Sequence, residues 1–187
     1  MLNSEREVTW SQSQRGITLI ELIVTVAVIA IIATVAVPSF TDMMTRARLV
    51  GAAQTVHGEL QRARSVAIKK DEIVYVYSGA SGANWCVALS DVSAGCDCNS
   101  CTLNENGSAQ SYVTRASDFA NVNMIPPVVS GSFGFDPDLG MVTPSTNGVF
   151  HFSSGGMDLD VRFTRLGRFN LCYPAGSPSV LGYEECL

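Results

Sequence analysis

The chain has 187 residues, a formal net charge of −5, and 47% apolar against 16% charged residues. That length suits one folded domain, and the composition excludes a disordered chain. The acidic balance excludes a generally basic surface, so any nucleic-acid contact would need the few cations to be clustered.

The first sixteen residues, MLNSEREVTWSQSQRG, are polar, carry Arg6 and Arg15, and end at Gly16. An ordinary secretory signal places its apolar run before the cleavage site; here the polar stretch comes first and the apolar run follows it. Ile17 to Val37 holds a single ionisable side chain, Glu21. As a helix this run is long enough to cross a hydrocarbon core of roughly 30 Å. The bias of Lys and Arg keeps the polar leader on the cytoplasmic side, although Arg46 and Arg48 follow the run. A carboxylate within hydrocarbon is costly, so Glu21 is expected to be paired and functional rather than a snorkelling acid near the interface.

Pro38 removes a main-chain donor, so a helix kink is expected there. Beyond it Leu49, Ala53, Val56, Leu60, Ala63 and Ala67 recur at three- and four-residue steps, with polar residues such as Gln54, Glu59 and Arg62 on the other faces. That is an amphipathic stripe. A helix over 17–70 would be about 80 Å long. After Lys69-Lys70 the period becomes two. Ile73–Tyr77 reads as a strand, 78–82 as a turn and Trp85–Leu89 as the hairpin partner. The polar stretch 90–110 reads as a loop. Further short strands are expected near 111–115, 121–129, 132–135, 148–152, 158–165 and 168–173, with Pro126-Pro127 bending or edging its run. The pattern is α+β: a long helix followed by a small antiparallel, sandwich-like head.

All six cysteines (Cys86, Cys96, Cys98, Cys101, Cys172 and Cys186) lie beyond the apolar run. An even number on the exported side favours disulfides. Cys172 and Cys186 make the most natural bridge, because closing a loop of about 15 residues contributes roughly 3 kcal/mol and pins the tail. The other four allow three pairings. Cys98 and Cys101 have the spacing of a zinc or redox pair, but no second C-x-x-C and no thioredoxin-like unit accompanies them. Asp136-Pro137-Asp138-Leu139-Gly140 has too few ligands for an EF-hand and reads as a β-turn. No phosphate loop, nucleophile elbow or paired-base motif is present, so neither a catalytic site nor a bound metal or other cofactor is expected.

Gly16-Ile17-Thr18-Leu19-Ile20-Glu21-Leu22 resembles the prepilin peptidase site of type IV pilins and type II secretion pseudopilins, with Ile17 where Phe is usual. Leu60–Lys70 and Val161–Arg168 resemble the GspH/FimT group, which comprises minor pilins and the H-type minor pseudopilin. The resemblance implies a leader at 1–16, cleaved after Gly16 by the prepilin peptidase, which also N-methylates Ile17. It further implies a membrane and filament-core helix at 17–38, an amphipathic continuation at 39–70 and a periplasmic head at 71–187. Glu21 would pair with the terminal amine of a neighbouring subunit. The implied partners are membrane lipid before assembly, an inner-membrane assembly platform, and other pilins or pseudopilins in the filament. The implied function is that of a minor pilin in assembly or priming of a type IV pilus, with the H-type pseudopilin of type II secretion as the alternative. A third reading is DNA capture for natural transformation. Arg162, Arg165 and Arg168 cluster in an acidic head, and Gly167-Arg168-Phe169-Asn170 keeps the glycine and first arginine of a GRxR-type motif, with Asn170 in place of the second.

Overall fold

The computed structural model describes residues 16–81, 84–93, 96–128 and 132–187. The leader expected at 1–16 therefore lies outside the described residues except for Gly16. The chain divides into two units, 1–40 and 41–187.

The long helix, α1 (Leu19–Lys70), contributes to both units. It starts two residues later than the sequence pattern suggests, because Thr18 caps it: the Thr18 hydroxyl accepts the Glu21 N–H at 3.3 Å. This satisfies one of the four main-chain donors that every helix start leaves open. The helix continues through Pro38 without a break. Over 19–34 its aliphatic side chains are exposed. Thr25 and Thr34 donate their hydroxyls back to the carbonyls of Leu22 and Ile31 at 2.8 and 2.7 Å, so neither polar group interrupts the apolar surface. By length and composition this segment can cross a membrane.

In the second unit, the later part of α1 buries Leu49, Ala52, Ala53, Val56, Leu60, Ala63, Val66 and Ala67. The stripe read from sequence is thus the buried face, widened by Ala52 and Val66. Among the described residues twelve strands follow: β1 (Val74–Ser81), β2 (Asn84–Ser90), β3 (Leu103–Glu105), β4 (Ser108–Gln110), β5 (Val113–Arg115), β6 (Asn123–Ile125), β7 (Phe133–Phe135), β8 (Val142–Thr143), β9 (Gly148–Ser154), β10 (Met157–Phe163), β11 (Phe169–Tyr173) and β12 (Glu184–Glu185). They form one five-stranded sheet in the order β5-β2-β1-β7-β8 and another in the order β12-β11-β10-β9-β6, with β3-β4 as a separate hairpin. Neighbouring strands run antiparallel, whereas β11 and β12 are parallel.

Both large sheets contribute to one core with α1. Alternate residues on β9 and β10 point inward, as the period of a strand requires, so Phe150, Phe152, Leu159, Val161 and Phe163 are buried. Phe133 of the first sheet stacks on Phe163 of the second with ring centroids 4.5 Å apart. Trp85 closes one side, stacked on Phe119, with its indole N–H donated to the Val122 carbonyl at 2.8 Å.

Three local expectations are corrected. The turn expected at 78–82 is strand as far as Ser81. The loop expected at 90–110 contains the β3-β4 hairpin, which turns at Asn106 (φ 54) and Gly107 (φ 78). An Asn-Gly pair is the residue choice that such a turn demands, and that signal was present in the sequence. Strand β12 was not anticipated; it forms because a disulfide holds the tail beside β11.

Candidate functional site

Gly16, Ile17 and Thr18 precede the helix in irregular backbone, and Ile17 is 75% exposed. The Gly16–Ile17 bond therefore sits outside the helical hydrogen-bond ladder, and a protease can engage it only as accessible, unpaired backbone. Glu21 lies in the first turn of α1, also exposed. That position favours a carboxylate, because the helix start presents uncompensated N–H groups. Among the described residues no cation lies within ion-pair distance of Glu21. The sequence reading overlooked Thr18 as the residue that sets this geometry. Its signal was the Thr-x-x-Glu spacing of a capping box.

The arginines separate into two settings. Arg162 lies on β10, on the face away from the core, and donates to the main-chain oxygen of Leu187 at 2.7 Å. Arg165 and Arg168 are exposed on the Thr164–Arg168 turn between β10 and β11. Gly167 makes that turn with φ 69, and a Cβ there would lie 2.3 Å from the Gly140 carbonyl oxygen. Arg64 of α1 reaches beneath the turn and donates to the Gly167 carbonyl at 3.1 Å. The turn is thus fixed from below, while its two arginines face solvent. Asp158 and Asp160, on the same strand as Arg162, are engaged elsewhere. His151 meets Asp160 at 2.7 Å and Asp158 at 3.6 Å, and Ser177 donates to Asp158 at 2.7 Å. Among the described residues no carboxylate is within ion-pair distance of Arg165 or Arg168.

The cysteines pair as Cys86–Cys98, Cys96–Cys101 and Cys172–Cys186, with none free. Cys98 and Cys101 therefore belong to different bridges, which removes the redox-pair alternative. Between Cys96 and Cys98 the Asp97 carboxylate accepts the N–H groups of Asn99 and Ser100, both at 2.9 Å, and those bonds hold it below its ordinary pKa. The Asp136 carboxylate is likewise occupied, accepting the Leu139 and Met141 N–H groups at 2.9 and 3.0 Å, which makes it a turn-former. Among the described residues no cluster of His, Cys, Asp and Glu is arranged to hold a metal.

An apolar helix that begins just past Gly16, carries an acid in its first turn and continues onto a small two-sheet head defines a pilin-like subunit. The chain matches the family described as Type II transport protein GspH over residues 52–167, and the prokaryotic N-terminal methylation motif over residues 11–37. It belongs to the GspH family. Its fold is similar to a crystal structure of the type IV minor pilin FimU from Pseudomonas aeruginosa, with a TM-score of 0.51, 16% identity, and coverage of 74% of this chain and 98% of that one. A second crystal form of FimU gives a TM-score of 0.47 at 16% identity, covering 70% and 97%. No curated protein matches the chain.

Proposed function

We propose that this chain is a minor pilin of a bacterial type IV pilus that takes part in assembly or priming of the filament. The leader 1–16 is removed after Gly16 by the prepilin peptidase, which methylates Ile17. The apolar segment from Ile17 to Pro38 waits in the inner membrane, 39–70 continues into the head, and 71–187 stands in the periplasm until the assembly platform moves the subunit into the filament. Glu21 then takes the terminal amine of a neighbouring subunit as its cation. The observation that carries this reading is an exposed carboxylate in the first turn of α1, on a stretch (19–34) that is otherwise uncharged and uncovered. Such a group is stable in hydrocarbon only when paired. No catalytic step is assigned to the chain.

The test is replacement of Glu21. Glu21→Gln should leave cleavage intact, read from the mass of the mature protein, and abolish recovery in sheared filaments. Wild-type recovery of the variant would overturn the mechanism. Separate motility and secretion assays on a deletion strain distinguish the pilus from the H-type pseudopilin of type II secretion: loss of secretion with normal motility would favour the latter.

A second reading, DNA capture by the head, is favoured by the two solvent-facing arginines on the braced β10-β11 turn. Each phosphate contact releases counterions, so binding would weaken as salt rises. Full-length protein should lose salt-sensitive DNA binding when Arg165→Gln and Arg168→Gln are combined. Equal binding by the variant would remove the turn from consideration.

A further inference from the structure

Two Asn-Gly pairs lie in the head, Asn106-Gly107 and Asn147-Gly148. Asparagine is a chemically labile residue. It is most labile before glycine, because no Cβ shields the following main-chain nitrogen from the side-chain carbonyl carbon. Sequence marks the two pairs equally, and both asparagines are exposed; their surroundings separate them. The Asn147 side-chain oxygen accepts the Arg165 N–H at 2.8 Å. Gly148 opens the seven-residue β9 and pairs with Phe163 of β10. It is so closely packed that a Cβ there would lie 2.3 Å from the Phe163 ring and 2.9 Å from Pro127. The Gly148 nitrogen therefore reaches the Asn147 side chain only if the start of β9 opens. Asn106 and Gly107 are instead the two-residue turn of the β3-β4 hairpin, with Glu105 paired to Ser108 across it. Their φ values, 54° and 78°, must change before the Gly107 nitrogen can meet Asn106 Cγ. That change is cheap here. Both strands have three residues, every residue of β4 is exposed, and a Cβ on Gly107 would meet nothing within 4 Å. Among the described residues the Gly107 N–H has no hydrogen-bond partner. Short, solvated pairing of this kind opens locally at low cost. The Asn106 side-chain oxygen also accepts a hydrogen bond from the Lys69 ammonium at 3.1 Å.

We propose that Asn106 is a self-modification site, converting to aspartate and isoaspartate through a cyclic imide, while Asn147 is protected by the fold. The Gly107 main-chain nitrogen adds to Asn106 Cγ and loses its proton to solvent. The bond from Cγ to the amide nitrogen then breaks, and that nitrogen takes a proton from solvent and leaves as ammonia. Water next adds to one of the two imide carbonyls and opens the ring. Addition at one carbonyl gives aspartate and at the other isoaspartate. The sum is one water consumed and one ammonia released, with no oxidant or reductant. Lys69 assists by holding a positive charge at the oxygen on which negative charge develops as the nitrogen adds. Its long, flexible stem lets the ammonium follow the turn as it opens. The aspartate product sets a carboxylate against the Lys69 ammonium, adding an ion pair between α1 and the hairpin. The isoaspartate product lengthens the main chain by one atom, which a two-residue turn absorbs only by shifting the β3-β4 pairing. None of this depends on the filament reading.

The test holds full-length protein, folded in detergent, in mildly alkaline buffer made with heavy-oxygen water, and follows both Asn-Gly peptides by mass spectrometry. Conversion at Asn106 should carry the heavy label, because water opens the imide. It should run at least about tenfold faster than at Asn147, where β9 must open first. In denatured protein the two rates should converge. No conversion at Asn106, equal rates in the folded protein, or a difference that survives denaturation would each overturn the proposal. Lys69→Gln should slow conversion at Asn106 by about threefold, a small factor because an exposed charge is screened. An unchanged or faster rate in that variant would overturn the part given to Lys69.

Discussion

Both halves of α1 are rich in aliphatic side chains, yet the first leaves them exposed and the second buries them. The difference lies in arrangement. Over 19–34 apolar residues surround the helix, so no single surface of a small head could cover them. Over 49–67 they form one stripe, which the two sheets do cover. Propensity does not distinguish the halves; circumference does. If the contrast is right, the second half stands or falls with the head core, and the first does not. Phe133→Ala removes a ring that stacks on Phe163 at the join of the two sheets. It should destabilise the head by about 3–5 kcal/mol in denaturant unfolding. Membrane insertion of the same variant should be unchanged. A variant that failed to insert, or lost less than about 1 kcal/mol, would show that the division is misdrawn.

The next effect concerns the tail, which α1 meets through Arg46 and Gln54. Cys172→Ser with Cys186→Ser should cost roughly 3 kcal/mol. It should also free β12 and Val180, read as faster amide exchange at Glu184 and Glu185. Unchanged exchange would mean that the Arg162 contact with Leu187 and the Ser177 contact with Asp158 hold the tail without the bridge.

Much of this arrangement was legible before any coordinates. The apolar run, the buried stripe, the hairpin from β1 into β2 and the inward alternation of β9 and β10 all follow from periodicity, because burial imposes it directly. The short strands were less legible. β8 and β12 have two residues each, too few to show a period, and they exist because distant neighbours hold them in place. The β3-β4 hairpin was readable from Asn106-Gly107, yet the surrounding cysteines and serines masked it as a loop. Of the candidate site, Glu21 stood out because a charge in an apolar run is conspicuous. Arg64 beneath Gly167 could not be foreseen, since the two lie far apart in sequence and meet only once the turn at Gly140 is in place.

The smallest effect contrasts the acids of the two halves. Glu21 is proposed to find its cation on another subunit, whereas Glu59 has a buried Oε2 with no hydrogen-bond partner. Burial pushes the Glu59 carboxyl above its ordinary 4.5, with the Arg62 charge pulling it back in part. A carboxyl whose folded pKa exceeds its unfolded one binds its proton more tightly in the native state. Its contribution to stability therefore falls as pH rises from about 4.5 through the folded value, then stays constant as a penalty. Glu59→Gln should remove that slope and leave the head slightly more stable at pH 7. The gain should be below about 1 kcal/mol, because the side chain is only part-buried and solvent screens it. The check is a pair of denaturation series on the two proteins from pH 4 to pH 7. Parallel curves would mean that Glu59 meets a partner in solution, and that the second half of α1, like the first, holds an acid in wait for a cation.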